Sequence, residues 1–382
     1  MIAETSLLLA DYQISPKTGF LPERPVQFVS VRNPAWFSLA DELPKRLPTG
    51  RVRELIENLP DWQPEADRDG EHAMRVLSYL GHAYLWGDKA VVPKKLPRNL
   101  SQAWVQVGQQ VGRPPILSYP SYCLFNFELI DPSEPPCLEN VRMVQNFLGG
   151  LDEDWFILIH VDIEYRAAQA IRAVPGLVTA ASRRNLTGVQ AGLWEVRESL
   201  RQMNATMNRM PEGCDPYIYY TRVRPYIFGT KNNPALPEGL VYEGEFDNEP
   251  QFFRGETGAQ SAIVPALDGL LGVSHENDPL KEYLMEMRDY MVPAHRQFIE
   301  AVEQQSTLRQ AVTESGRPDI TGLYNDCVDE LFRFRAKHLE YAATYIHKQA
   351  LQAHNSTVVG TGGTPFMEYL AKHRDETKLA LL

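Results

Sequence analysis

The chain has 382 residues, of which 43% are hydrophobic and 23% charged, an ordinary globular composition with ample apolar material for a core. Its formal net charge of −11 argues against nucleic acid as the main partner, because phosphate binding needs a basic surface. The four cysteines lie far apart without a CxxC pair, which argues against structural zinc, iron–sulfur ligation and covalent cofactor attachment through CxxCH.

The N-terminal segment MIAETSLLLADYQ (1–13) has an early Glu4 and no basic region, so it does not read as a secretory signal. The longest apolar stretch in the middle of the chain, 155–159, is far too short to span a membrane. We therefore expect a reduced, cytoplasmic setting without a membrane partner.

The first part of the chain contains shorter helices, such as the one predicted over 70–87, where apolar residues recur at helical spacing. The segment DPSEPPCLEN (131–140) combines proline, serine and acidic residues, which predicts a connection between two bodies. Long helices are then predicted over 155–182, 186–210, 278–304 and 318–352, and strand-like alternation is scarce. The sequence thus predicts an all-α protein with a small, mostly helical N-terminal domain and connecting segment (1–145) and a large helical-bundle domain (146–382), a scaffold that can hold a cofactor between facing helices.

His338 on the last long helix is the most informative single residue. In LFRFRAKHLEYAATYIH it shares one face with apolar and aromatic residues at steps of three and four, while charged neighbours such as Arg333 and Lys337 fall elsewhere. The pattern places this imidazole in the interior. The pattern alone favours a core histidine that is satisfied by a hydrogen bond, and it is also compatible with a metal ligand.

A second histidine, His160, lies on another apolar stripe, one turn after Phe156 and one turn before Ile163. Two inward histidines on separate helices suit a haem with a proximal ligand and a distal polar group. The alternative is again a buried structural histidine.

Two arginines lie among aromatic and apolar residues in DPYIYYTRVRPYIFGTKNNP (215–234). A buried guanidinium is costly unless an anion meets it, so this segment predicts either carboxylate recognition or an internal salt bridge. The glycine-rich stretch 358–366, VVGTGGTPF, lacks the lysine of a phosphate loop. It fits a mobile lid that closes over a ligand, or a plain flexible loop.

Taken together, these residues resemble the indoleamine 2,3-dioxygenase family. The similarity covers most of the chain, in the blocks 83–100, 113–126, 233–246, 258–273, 287–298 and 360–370. The resemblance implies an enzyme that binds haem b (iron protoporphyrin IX) and uses O2 as co-substrate. The reaction implied is cleavage of the indole C2–C3 bond of tryptophan or a related indole, giving an N-formylkynurenine-type product of the kynurenine pathway.

The resemblance also assigns roles to single residues. It makes His338 the iron ligand, Arg335 the arginine beside a haem propionate, and Asp268 its acidic partner. It makes Arg224 the partner of the substrate carboxylate and Thr361 a residue of a closing loop near the substrate ammonium. The remaining matches line the substrate pocket or the loop over the haem edge: Tyr119, Tyr122, Cys123, Phe156, Ile157, Tyr219, Ile227, Gly255, Glu256, Thr257 and Gly258.

Three positions depart from the pattern of animal members of the family. His160 stands where those members have a small serine, Ile157 replaces a phenylalanine, and Tyr219 replaces another. A distal histidine that contacts the indole N–H or the bound oxygen fits catalysis. Two alternatives remain open: another haem-dependent oxidation or rearrangement of an indole or aromatic amino acid, as in pyrrolnitrin-type biosynthesis, and a non-catalytic bis-histidine haem sensor. The sequence leaves the oligomeric state open, and a monomer is compatible with it.

Overall fold

The computed structural model describes residues 7–25, 30–88, 91–352 and 360–382, and these residues are predominantly helical. None of the helices in these ranges is both long and apolar enough to cross a membrane. Residues 1–6 and Val358–Val359, which belong to the predicted N-terminal and lid segments, lie outside the described residues.

The first part of the chain packs around one long buried helix. The helices here are α1 (Pro34–Asp41), α2 (Leu43–Arg46), α3 (Val52–Glu57), α4 (Gly70–Trp86) and α5 (Arg98–Val111). Almost every residue of α4 is buried, and α1, α3 and α5 pack against it. The helix predicted over 70–87 is thereby confirmed.

The rest of the chain contains the longest helices of the protein. Its helices are α6 (Leu151–Ser182), α7 (Leu186–Met207), α8 (Pro216–Ile218), α9 (Ile263–Leu271), α10 (Pro279–Met287), α11 (Pro293–Gln305), α12 (Leu308–Ser315), α13 (Pro318–Ala342), α14 (Lys348–Gln352) and α15 (Phe366–Thr377). The short connection at 183–185 makes α6 and α7 antiparallel neighbours, α13 packs on α7, and α15 packs on α13. The all-α prediction is confirmed.

Local sequence explains where the paired helices α6 and α7 begin. Asp152, Glu153 and Asp154 place negative charge in the first turn of α6, where the helix dipole favours it. The Glu153 carboxylate also accepts hydrogen bonds from the backbone N–H groups of residues 147, 148 and 149. In α7 the side chain of Asn185 caps the helix by accepting from the N–H of Gly188.

Four short strands form two small pairs among the described residues. Strands β1 (Lys95–Leu96) and β4 (Val241–Tyr242) are parallel, with Lys95 opposite Val241, whereas β2 (Phe127–Leu129) and β3 (Val141–Met143) are antiparallel, with Phe127 opposite Met143. The segment 131–140 joins β2 to β3, and the expectation that it connects two bodies stays a prediction. Its turn-forming residues close a hairpin, in which the Asn140 side chain donates to the backbone carbonyls of Asp131, Glu134 and Pro135.

Two predicted long helices are interrupted. The stretch 278–304 consists of α10 and α11, separated by a 3₁₀ turn at Arg288–Tyr290 and restarted at Pro293, which cannot continue a helix from its preceding turn. The stretch 318–352 runs from α13 through a π-helical segment, Ala343–His347, into α14. Two more π-helical segments occur at Pro120–Leu124 and Tyr219–Val223. All three adjoin the cavity described below, in keeping with the frequent use of π-helical turns at functional sites.

The buried apolar side chains form a single cluster that includes residues from both sides of position 145. The division of the chain at that position stays a prediction.

Candidate active site

A cavity of about 620 Å³ lies between α6, α13, the turn at 219–227 and the loops at 256–265 and 360–364. Its walls are mostly apolar and aromatic, and polar side chains occupy a few positions. Such a lining is typical of a site that encloses a large apolar ligand.

His338 projects from α13 into this cavity. Its side chain retains accessible surface, and this surface opens onto the cavity. Burial, and secondarily repulsion from the protonated form of nearby His160, lower the pKa of His338 to about 4, so the imidazole is neutral near pH 7. No described residue hydrogen bonds to either of its ring nitrogens. A neutral imidazole with a free lone pair is the form that binds iron.

His160 projects from α6 into the same cavity. Its Nδ1 lies 2.7 Å from the backbone carbonyl oxygen of Phe156, and burial lowers the pKa of the ring. Since a carbonyl oxygen can only accept, Nδ1 of the neutral ring carries the proton and Nε2 is left as an acceptor. The ring is held by this bond and packs against the rings of Phe156 and Tyr119.

One end of the cavity carries a buried ion pair. Nη2 of Arg335 donates to Oδ2 of Asp268 at 2.5 Å, and Nη1 donates to Oγ1 of Thr377 at 2.6 Å. Burial by itself would raise the pKa of Asp268, but the charge of Arg335 and a hydrogen bond from His275 outweigh it and hold this pKa at about 2. Nε of Arg335 and Oδ1 of Asp268 are buried without a hydrogen-bond partner among the described residues. Buried polar atoms of this kind call for a further polar or anionic group.

Two histidines complete this end of the cavity. Nε2 of His373 accepts from Nη2 of Arg335 at 3.0 Å, and Nε2 of His275 lies 3.0 Å from the same nitrogen of His373. Asp268, His275 and His373 bring ligand atoms within 4.8 Å of one another, which is compatible with a metal ion. However, the guanidinium of Arg335 already contacts both Asp268 and His373, and its positive charge would repel a cation. This end therefore suits a carboxylate better than a metal.

Arg224 lies behind the cavity wall. It is 2% exposed, and its guanidinium carbon lies 5.4 Å and 4.4 Å from the ring centroids of Tyr220 and Phe228. Tyr219 and Ile227 line the cavity on either side of it in sequence, whereas Arg224 itself does not. The other arginine of this segment, Arg222, is exposed.

The loop 255–258 is held against the segment 227–229 by a close backbone crossing. The N–H of Glu256 donates to the carbonyl of Ile227 at 3.1 Å. A Cβ at Gly255 would come within 2.2 Å of the backbone nitrogen of Gly229, and a Cβ at Gly229 within 2.1 Å of that of Gly255. Real Cβ atoms do not approach this closely, so glycine is required at both positions.

The described part of the glycine-rich stretch is anchored, although a mobile lid was one interpretation of it. The hydroxyl of Thr361 donates to the carbonyl of Glu256 at 2.7 Å, and Nη1 of Arg254 donates to the carbonyl of Gly362 at 2.7 Å. Arg254 in turn pairs with Glu286. The loop 360–364 thus forms part of the cavity wall.

The structure brings most of the predicted site residues to one cavity. Those that line it are Tyr119, Phe156, His160, Tyr219, Ile227, Glu256, Thr257, Gly258, Asp268, Arg335, His338 and Thr361. Those that lie behind the wall are Tyr122, Cys123, Ile157, Arg224 and Gly255.

Sequence reasoning missed a buried acid next to the cavity. Oε1 of Glu164 accepts from the hydroxyls of Tyr119 and Ser261 at 2.9 and 2.7 Å, and burial raises the pKa of this carboxyl to about 7. Its only sequence signal is its position one turn after His160 on the same helix. His275 and His373 were also missed, because they meet only through the packing of the loop after α9 against α15.

Comparison with known proteins matches residues 8–380 to the family model described as indoleamine 2,3-dioxygenase. The chain is 35% identical to indoleamine 2,3-dioxygenase 1 of Rattus norvegicus over 393 residues, covering 98% of this chain and 96% of that protein. It is 30% identical to indoleamine 2,3-dioxygenase 2 of Homo sapiens, covering 98% and 96%. It is 29% identical to a 6-hydroxytryptophan 2,3-dioxygenase of Fusarium equiseti, covering 96% of each chain.

Proposed function

Because the chain belongs to the indoleamine 2,3-dioxygenase family, we propose that it is a haem-dependent dioxygenase of tryptophan or a closely related indole. The reaction is insertion of both atoms of O2 across the indole C2–C3 bond to give an N-formylkynurenine-type product. The observation that carries the proposal is the pair of neutral imidazoles, His338 and His160, on separate helices and facing one cavity.

The residues present fit a haem. His338 offers an iron ligand, and Arg335, with its unpaired buried Nε, stands beside a place for a haem carboxylate. All four cysteines are unpaired and form no CxxCH, which supports non-covalently bound haem b and a reducing, cytoplasmic setting. Haem bound here supplies the activation of O2 and the oxidising power of the reaction.

The protein's own part is to position the substrate and exclude water. Nε2 of His160 accepts a hydrogen bond from the indole N–H, and the rings of Phe156 and Tyr219, 4.7 Å apart, form an aromatic wall beside it. The family resemblance gives the substrate carboxylate to Arg224, which lies behind the wall on the segment that contributes Tyr219 and Ile227, and we propose that it meets the carboxylate there. Because both ends of the substrate are fixed, the indole ring is held in position for the reaction with O2 and does not have to find that orientation by free encounter.

The decisive experiment is incubation of the reduced, haem-loaded protein with L-tryptophan and O2, followed by mass spectrometry. A product equal to the substrate plus two oxygen atoms supports the dioxygenase. Any other product mass contradicts it and favours another oxidation or a rearrangement. A six-coordinate bis-histidine spectrum in the ferrous state that tryptophan leaves unchanged favours a haem sensor.

Replacing Arg224 with alanine should weaken the binding of L-tryptophan while leaving haem content unchanged. A charge-assisted hydrogen bond to the carboxylate contributes about 1.5–3 kcal/mol, so we expect a rise in Kd of roughly 10- to 150-fold. Tryptamine, which has no carboxylate, should bind equally to both proteins. Arg222→Ala is the matched control, because that arginine is exposed. Equal loss of affinity for tryptophan and tryptamine would contradict the carboxylate role.

Replacing His160 with alanine should remove the preference of the protein for substrates that carry an indole N–H. A neutral hydrogen bond contributes about 0.5–1.5 kcal/mol, so kcat/KM for L-tryptophan should fall by roughly 2- to 10-fold through this bond alone. In wild type, kcat/KM should be higher for L-tryptophan than for its N1-methyl derivative, which has no N–H, by a similar factor. In the variant, kcat/KM should be the same for both substrates. The acceptor role fails if the variant retains the full preference.

A further inference from the structure

The carboxyl group of Glu256 has no role in the proposed mechanism so far. Glu256 is 4% exposed, and it lines the cavity. Its backbone is fixed on both sides, because its N–H donates to Ile227 and its carbonyl accepts from Thr361. The backbone from which this side chain projects therefore has a defined position at the cavity wall.

No described residue forms a hydrogen bond or an ion pair with this carboxyl. Burial raises the pKa of Glu256 to about 8, with no cation to oppose the effect. The titratable groups that its charge reaches are all neutral near pH 7: Tyr119, Tyr122, Cys123 and Tyr219. A buried carboxyl without a partner is costly, and such groups are concentrated at sites where a ligand completes them.

The other carboxylates of the cavity wall already have partners. Asp268 pairs with Arg335, and Glu303 pairs with Arg288. Among the described acidic residues that line the cavity, Glu256 is thus the one whose carboxyl has no partner and can bind a positively charged group of a ligand.

Glu256 and Arg224 lie on adjoining segments. The carbonyl that accepts from Glu256 belongs to Ile227, three residues after Arg224. The hydroxyl of Tyr219 is influenced by both charges, because Arg224 lowers its pKa and Glu256 raises it. The cavity wall therefore carries the carboxyl of Glu256, and the guanidinium of Arg224 lies behind the adjoining segment of that wall. A carboxyl and a guanidinium on adjoining segments form a charge pattern that complements a zwitterion.

We propose that Glu256 binds the ammonium group of the substrate, so that this site selects amino-acid indoles over indoles that lack a protonated amine. The inference rests on the proposed function, because it names the substrate class for that site. Binding of the ammonium ion stabilises the carboxylate form of Glu256, so the proton of the neutral carboxyl passes to the solvent.

The test compares L-tryptophan with indole-3-propionate, which keeps the ring and the carboxylate and lacks the ammonium group. Binding is followed by the absorbance change of the haem-loaded protein. Glu256→Gln keeps the size of the side chain and removes its charge, so we expect Kd for L-tryptophan to rise roughly 10- to 100-fold. Kd for indole-3-propionate should stay the same. Glu303→Gln is the matched control, because that carboxylate lines the cavity and is already paired, and it should change neither Kd.

Proton release on ligand binding is a second measurement, and it would not change if Glu256 had only a structural role. At pH 7, L-tryptophan should release a proton on binding to wild type, and this release should be absent with indole-3-propionate and in Glu256→Gln. Equal weakening of both ligands, or proton release that persists in the variant, overturns the inference.

These outcomes separate the inference from the proposed function. If wild type binds L-tryptophan with proton release and forms no dioxygenated product, the proposed function fails and the ammonium site stands. If wild type forms that product and Glu256→Gln binds L-tryptophan unchanged, the ammonium site fails alone.

Discussion

Replacing His338 with alanine should give a folded protein that purifies without haem and has no dioxygenase activity. The imidazole is neutral, faces the cavity and has no hydrogen bond to a described residue, so its lone pair is available to iron. Alanine has no donor atom, and the cavity then holds haem only through apolar contacts and the charged end at Arg335. We expect haem content to fall to background, and activity with it.

The measurement is the haem absorbance of protein expressed with added haemin, together with its circular dichroism to establish folding. His347→Ala is the control, because His347 is exposed on the π-helical segment that follows α13, and it should keep its haem. In His338→Gly, added imidazole should restore haem binding by replacing the lost ligand. A His338→Ala protein with the wild-type haem spectrum would refute the ligand assignment.

Replacing Arg335 with alanine should destabilise the fold by about 3–5 kcal/mol, because it leaves the buried Asp268 carboxylate without its main counter-charge. The free energy of unfolding of the haem-free protein, measured with urea, reports this change. Arg333→Ala is the control. Arg333 lies on the same helix and is exposed, so its pair with Glu330 should contribute less than about 1 kcal/mol.

The pH dependence of this effect has a defined sign. In wild type the pKa of Asp268 is about 2, below the ordinary value of about 3.9 for an unfolded chain. Its contribution to stability is therefore full above about pH 4 and is lost as the pH falls towards 2. Without Arg335, burial favours the protonated carboxyl, so the stability deficit of the variant should narrow as the pH is lowered from 7. A deficit that is constant with pH would show that lost packing, and not the buried charge, is the cause.

The helical periodicity of apolar residues was enough to predict those features of the structure that depend on contacts within one helix. The steps of three and four around His338 and His160 were enough to place both imidazoles inside, since a helix puts such residues on one face. The same reasoning located the long helices and failed at their interruptions. At 278–304 the apolar spacing continues through Pro293, although the backbone cannot.

Contacts between distant segments could not be predicted from spacing. The pair of Asp268 and Arg335, 67 residues apart, came from the family resemblance alone. His373 joins it because α15 packs on α13, and His275 joins it because the loop after α9 packs against α15. The sequence pattern also could not predict that Arg224 lies behind the cavity wall. Such a pattern distinguishes buried side chains from exposed ones, but it does not show how deep a buried side chain lies.

The crossing of Gly229 and Gly255 has a consequence for how this pocket can vary. The two chains touch backbone to backbone, so the segment bearing Arg224 and the loop bearing Glu256 cannot slide past each other, and neither crossing residue can gain a side chain. The spacing between the two charged groups is thereby built into the main chain. Variation in the size of this pocket therefore has to come from side chains elsewhere on the cavity wall.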